Sequence, residues 1–252
     1  MEHKNKIILI TGASSGIGRA AALAFANEGG TIIVSDVNEN GGEKTVEMIK
    51  SNGGNADFIK TNVAVFEEVE NLTKNIQEKY GRLDIALNNA GIGGQIARTI
   101  DTSVESWEQV MAVNASGVFF CMKCQIPIML KQGGGVIVNT ASIAGLRGLP
   151  NSIAYSASKH AVVGMTKTAA MEYAKSNIRI NALCPVFTIS PMFDPEALDG
   201  MVKGISEKLK AGIPMKRFGR IEEQVGAMMY LCSDKASYVT GHAMPVDGGL
   251  TA

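Results

Sequence analysis

The chain has 252 residues, 46% of them hydrophobic, with 28 glycines, which suits a compact α/β protein with a substantial core. Lysine plus arginine number 24 and aspartate plus glutamate 24, and this zero net charge excludes a general nucleic-acid surface, which needs a basic excess. No stretch approaches the length of a membrane span, and the four-residue apolar run Ile7–Ile10 is too short for a signal peptide, so a soluble cytoplasmic chain is expected.

Lys6–Ile10 reads as the first strand, and Thr11-Gly12-Ala13-Ser14-Ser15-Gly16-Ile17-Gly18 follows it directly, ahead of a helical run Arg19–Asn27. A glycine-rich turn between a first strand and a first helix points to nucleotide binding. Gly12 permits the tight turn, Gly16 lets a pyrophosphate approach the backbone, and Gly18 lets the helix pack on the strand, with phosphates on free N–H groups at the helix start. The second strand, Thr31–Ser35, ends at Asp36, where a ribose-binding acid is expected. Its carboxylate would repel a 2′-phosphate by a few kcal/mol at roughly 5 Å. Ser15, Ser35 and Val37 offer no compensating cation, so NAD is favoured over NADP.

Further strands are expected at Ala56–Lys60, Asp84–Asn88, Val136–Thr140, Ile178–Leu183 and Ala243–Val246, apolar and β-branched throughout, as in a parallel sheet covered on both faces. Gly29-Gly30, Gly53-Gly54 and Gly81 close the helices between them, and Thr102 with Glu105 has capping-box spacing before the fourth. Strand–helix alternation of this kind predicts one doubly wound domain of the Rossmann type: a seven-stranded parallel sheet with helices on both faces over residues 1–252. The Cys121-x-x-Cys124 pair lies well inside the apolar segment Val118–Leu130, which predicts buried, reduced thiols rather than redox chemistry. His3, His160 and His242 have no metal-ligand spacing, so no metal is expected.

In Ala154-Tyr155-Ser156-Ala157-Ser158-Lys159, helical periodicity sets Tyr155 and Lys159 on one face. A tyrosine of reference pKa near 10 is only about 0.1% ionised at neutral pH, and lowering it by about three units needs roughly 4 kcal/mol. An ammonium about 4 Å away in a half-dry cleft supplies about that much, which makes a general acid/base. Ser142 follows the strand Val136–Thr140 at the carboxyl edge, and Asn114 sits in an apolar helical segment where a buried amide needs partners.

With these residues assembled, the chain resembles the classical short-chain dehydrogenase/reductase family over nearly its whole length. The resemblance rests on the turn Thr11–Gly18, Asn88-Asn89-Ala90-Gly91, Asn114, Ser142, Tyr155 with Lys159, and the closing Val246-Asp247-Gly248-Gly249. It implies an oxidoreductase in which Tyr155 moves the proton and Ser142 orients the substrate oxygen. Lys159 would bind the nicotinamide ribose and depress the tyrosine pKa, while Asn114 would hold a relay water. The cofactor is expected to touch Gly12, Ser14, Ser15, Gly16, Ile17, Gly18, Asp36, Val37, Asn62, Val63, Asn89, Ala90 and Gly91. Later in the chain, Tyr155, Lys159, Pro185, Val186, Thr188 and Ser190 join it. The cofactor half spans about residues 1–135 and the catalytic and substrate half about 136–252. A homotetramer is implied, with the helices from Val104 and Tyr155 in one interface and the last strand in another.

Two positions depart from the family pattern. An aspartate that holds the adenine amino group is replaced by Asn62, whose amide oxygen accepts without charge assistance. Pro185 is followed by Val186 in place of glycine. The stretch from about 188 to 212 corresponds to a mobile flap. Its apolar residues, with Ile143, Leu149 and Met192, suggest a non-ionic, moderately hydrophobic alcohol or ketone, alicyclic in shape. The readings kept beside an NAD-dependent secondary-alcohol dehydrogenase are an NADPH-dependent ketone reductase, a cofactor-retaining epimerase, and a non-catalytic nucleotide sensor.

Overall fold

In a computed structural model, residues 3–252 are described, apart from the side chain of Met201. Strands β1 (Ile7–Thr11), β2 (Thr31–Asp36), β3 (Asn55–Lys60), β4 (Ile85–Asn88), β5 (Gly135–Thr140), β6 (Ile178–Pro185) and β7 (Ala243–Val246) form one sheet in the order 3-2-1-4-5-6-7. Every pairing is parallel. The expected strands are all present, with no end displaced by more than two residues and the last strand matching at both ends.

Between them run α1 (Gly16–Asn27), α2 (Glu39–Ser51), α3 (Phe66–Tyr80), α4 (Val104–Met111), α5 (Gly117–Gln132), α6 (Ile153–Tyr173), α7 (Pro195–Met201), α8 (Ile205–Gly212) and α9 (Ile221–Cys232). Two apolar layers cover the two faces, as alternation along each strand demands. Leu9 and Ile33 face α3, α5 and α6 through Leu72, Ile76, Met129 and Val162. Ile8, Ile10, Ile32 and Val34 face α1, α2 and α9 through Phe25, Ile49 and Met228. Winding reverses between β1 and β4, so the loops after those two strands open a crevice at the carboxyl edge.

Two sequence expectations are corrected here. The N-cap of α4 is Ser103, whose hydroxyl accepts from Ser106 N at 3.1 Å, whereas the Thr102 hydroxyl donates back to the Arg98 carbonyl. Thr102–Glu105 is therefore not the capping box. The helices α4 and α5 are also continuous, joined by a π-helical turn at Ala112–Ser116, and the resulting Val104–Gln132 is long and apolar enough to span a membrane. More than half of its apolar window is buried, through residues such as Val118, Met122 and Met129, so it serves as a core helix. Cys121 lies fully inside this helix and Cys124 half-buried. Burial pushes the Cys121 thiol up to about 12 and also raises Cys124, and all four cysteines are free. Such thiols are poor nucleophiles.

Candidate active site

The turn after β1 is built for a close visitor. Gly12 has φ +66, and a Cβ there would lie 2.7 Å from Ala90 Cα. At Gly18 a Cβ would meet the Gly12 carbonyl at 2.2 Å, so neither position takes a side chain. Gly16 also has a positive φ, of +54, but a Cβ there would make only ordinary contact, with Pro191 at 3.6 Å and Ser190 at 3.9 Å. Asn89 laces this turn to β4: its Nδ2 donates to the Thr11 and Gly12 carbonyls at 3.1 and 3.2 Å, and the Thr11 hydroxyl accepts from Asn89 N and Ala90 N. The first turn of α1 holds no acidic residue, and Ser15 at the N-cap makes no capping bond, which leaves the helix N–H groups of Gly16 and Ile17 to an anionic ligand. These features fit a dinucleotide pyrophosphate.

Asp36 ends β2 beside this turn. Oδ2 accepts from Ser14 N at 3.0 Å and Oδ1 from Asn38 N at 2.9 Å, so each oxygen keeps a lone pair. Val37 is exposed next to it. Sequence reasoning passed over Arg19, which sits on the same turn. Its guanidinium is committed to Thr45 Oγ1 at 2.9 Å, the Gly41 carbonyl at 3.2 Å and the Ser14 carbonyl. Arg19 therefore braces α1 against α2 through Nε and Nη2.

Asn62 and buried Val63 follow β3. Asn62 N donates to Glu68 Oε2 at 2.7 Å, and the Asn62 amide oxygen, which sequence reasoning reserved for a base, already accepts from Ala64 N at 3.0 Å.

Asn114, Ser142, Tyr155 and Lys159 converge at the carboxyl ends of β4 and β5. Asn114 is fully buried in the π turn, where Oδ1 accepts from Ile92 N at 2.8 Å and Nδ2 donates to the Ile92 carbonyl at 2.9 Å and to Ser158 Oγ at 3.2 Å. Ser158 in turn donates to the Tyr155 carbonyl at 2.8 Å. This buried serine was also missed: a serine inside a helix carries no periodic signal, and only its backbone bond reveals it. Gly91 completes the group. A Cβ on it would lie 3.3 Å from Asn114 Oδ1 and 3.4 Å from Lys159 Nζ, so the glycine leaves a niche between the two.

Lys159 is buried, 3% exposed. Its Nζ donates to the Thr140 carbonyl at 2.8 Å and lies 5.6 Å from the Tyr155 ring centroid. Burial holds its pKa down at about 8, so the ammonium is still about nine-tenths protonated at pH 7. Burial also pushes the half-buried Tyr155 phenol above its usual range, against a smaller downward pull from the Ser142 hydroxyl. Burial sets the direction for the phenol, and the Lys159 ammonium is turned to the Thr140 carbonyl. Ser142 Oγ accepts from Ala144 N at 3.1 Å, which leaves its own proton to the phenol beside it or to a substrate oxygen.

Beyond Pro185 the loop is pinned to Gly219 through Ile189 N and the Phe187 carbonyl. Val186 has no positive φ and is buried with Ile143, Ile213 and Phe218, so the missing glycine imposes no strain. The Thr188 hydroxyl donates to the Val186 carbonyl at 2.7 Å, and Ser190 pairs with Phe193. Phe187, Phe193, Phe218 and Leu209 line the apolar wall next to Ile143. Met192 is exposed outside this cluster, and Phe193, one residue on, packs against it. Leu149 is partly buried and held by Ser156 Oγ at 3.3 Å, while Arg147 is exposed.

This geometry has counterparts. A family model described as Enoyl-(Acyl carrier protein) reductase matches residues 12–251. The chain belongs to the classical short-chain dehydrogenase/reductase family. It is 42% identical over 251 residues to the cyclohexanol dehydrogenase of Acinetobacter sp. (strain SE19), covering 100% of this chain and 97% of that protein. It is 38% identical over 267 residues to the 3beta-hydroxysteroid dehydrogenase of Mediterraneibacter gnavus, covering 98% and 95%. Among solved structures, an NAD+-bound xylitol dehydrogenase superimposes with TM-score 0.95 at 32% identity, covering 99% of this chain and 100% of the other. As a member of the family, the chain is an oxidoreductase of alcohols and ketones that binds a nucleotide cofactor.

Proposed function

We propose that the chain is an NAD(H)-dependent oxidoreductase that interconverts a secondary alcohol and a ketone on a non-ionic, moderately hydrophobic, alicyclic substrate. The observation that carries this reading is the buried Lys159 beside Tyr155, with the Ser142 hydroxyl at the same carboxyl edge. NAD, bound along the Gly12–Gly18 turn with its ribose on Asp36 and its nicotinamide by Pro185, Val186, Thr188 and Ser190, supplies the hydride acceptor.

In oxidation, the Tyr155 phenolate takes the substrate hydroxyl proton while Ser142 holds the same oxygen. In reduction the phenol returns it. Ionising Tyr155 near neutral pH requires positive charge close to the ring, which Lys159 contributes when Nζ swings from Thr140 towards the phenol. The niche left by Gly91, between Asn114 Oδ1 and Lys159 Nζ, is where we place the relay water. The division of labour follows the chain: cofactor contacts fall mainly before residue 135, and the catalytic contacts after it, apart from Asn114.

The apolar wall of Ile143, Phe187, Phe193 and Phe218 supports a hydrophobic ring, and the relatives named for cyclohexanol and for a 3β-hydroxysteroid act on such rings. The same reading makes the protein a cytoplasmic homotetramer, supported by four unpaired cysteines and by exposed Val104, Trp107, Phe119 and Met171 on α4, α5 and α6. The test is a screen of cyclic and linear secondary alcohols with NAD, read by absorbance of the reduced cofactor, with light scattering for mass. Turnover confined to NADP, or to charged substrates, sinks the reading.

A further inference from the structure

A surface pocket of about 460 Å3 is lined by Ile189, Lys210, Lys216, Arg217, Phe218 and Arg220. Lys210 belongs to α8, and the others to the loops after β6 and before α9, so the pocket lies between α8 and the body of the domain. Phe218 alone is shared with the apolar wall of the active site. Its ring meets that of Phe193 at 5.1 Å, and Lys210 Nζ lies 5.8 Å from its centroid. Ile189 is 52% exposed where its neighbour Thr188 is buried, so its side chain turns outward into this pocket.

Every charged or polar side chain of the lining is a cation. Among the described residues, two carboxylates pair with the four. Glu223 takes Arg217 in two bonds, at 2.6 and 2.9 Å, and Arg220 loosely at 3.4 Å, while the exposed Glu207 pairs with Lys210. Two positive charges are left in excess, and their donors are available. Lys216 Nζ uses one of its three on the Ala211 carbonyl at 2.7 Å, and the Arg220 guanidinium reaches Glu223 through Nη2 alone. The methylene stems of the four cations join Ile189 and Phe218 in an apolar floor.

This combination selects one kind of ligand. A small inorganic anion would gain only exposed ion pairs, which are weak in water. A neutral apolar molecule would strip water from the cations without pairing them. We infer that the pocket is a second binding site, outside the active site, for an amphipathic organic anion. Its carboxylate head pairs with Lys216 and with the planar fork of Arg220, and its apolar tail lies against Ile189 and Phe218. The occupant touches α8 and the body at once.

The experiment is isothermal titration of the full chain with octanoate, octanamide and acetate at fixed pH and ionic strength. Octanoate is expected to bind with a Kd of about 1 mM or below. It should bind at least about tenfold tighter than octanamide, which keeps the tail without the charge, and than acetate, which keeps the charge without the tail. The double variant Lys216→Gln, Arg220→Gln changes two exposed side chains, and it is expected to weaken octanoate about tenfold with an unchanged melting temperature. Absence of octanoate binding overturns the inference, and so does equal binding of octanoate and octanamide. Octanoate binding that the double variant leaves unchanged also overturns it, and would place the ligand elsewhere, on the apolar wall of the active site. The titration contains no dinucleotide, so each of these results leaves the NAD reading standing.

Discussion

Lys159 Nζ donates to the carbonyl of Thr140 at 2.8 Å, so a helix side chain bonds the last residue of the neighbouring strand, deep inside the fold. One carbonyl dipole is a weak partner for a buried ammonium, and the pKa of about 8 records that shortfall. In the unfolded chain the same lysine titrates near 10.5. Between about pH 8 and 10.5 the unfolded state binds more protons than the folded one, so stability rises with pH across that window. Below pH 8 the full penalty applies, about 3 kcal/mol for the shift, and above 10.5 it vanishes. Lys159→Met is therefore expected to be more stable than the wild type at pH 7, by about 1–3 kcal/mol after the lost Thr140 bond, with the gap closing by pH 10. Urea unfolding without cofactor at both pH values measures it. A gap that is constant with pH would contradict the assignment.

Tyr155→Phe removes the phenol and leaves the ring. Turnover is expected to fall by about 10²-fold or more while the NAD dissociation constant stays within about twofold. Substantial residual kcat would mean that another group moves the proton.

Asp36 is partly exposed, so the roughly 3 kcal/mol of repulsion for unit charges at 5 Å is reduced by solvent, and at least tenfold tighter binding of NAD than of NADP is expected. Asp36→Ser should narrow that ratio. Equal dissociation constants for the wild type would remove the basis for assigning NAD.

Gly91→Ala places a methyl between Asn114 Oδ1 and Lys159 Nζ, at 3.3 and 3.4 Å. The expected result is a several-fold loss of kcat and an altered pH profile as the proton path is blocked. Unchanged kcat and pH profile would place the relay water elsewhere.

The glycine turn, Asp36 and the strand run were readable because their signals are local: a strand end, three glycines and an acid at fixed spacing. What escaped lies in relationships across elements or within one turn. Ser103 displaces Thr102 as the cap of α4 because a one-residue shift changes which hydroxyl faces the free N–H groups. Ser158 contacts Asn114 across 44 positions of sequence. The apolar spacing of the flap does not fix which of two neighbours packs inward, and it is Phe193 that joins the cluster while Met192 is exposed. The orientation of the Asn62 amide depends on a single backbone N–H two residues away.

The π turn at Ala112–Ser116 adds a residue to a helix that would otherwise run without interruption from Val104 to Gln132. The wider turn absorbs that residue, so the segments on either side stay close to the phase of one helix. Removing one residue there would restore regular α-helical bonding and leave the buried stripe of Val118, Met122 and Met129 on the sheet, but it would take away the bulged backbone that turns Asn114 to Ile92 and Ser158. Length in this segment is therefore set by the site and not by the core.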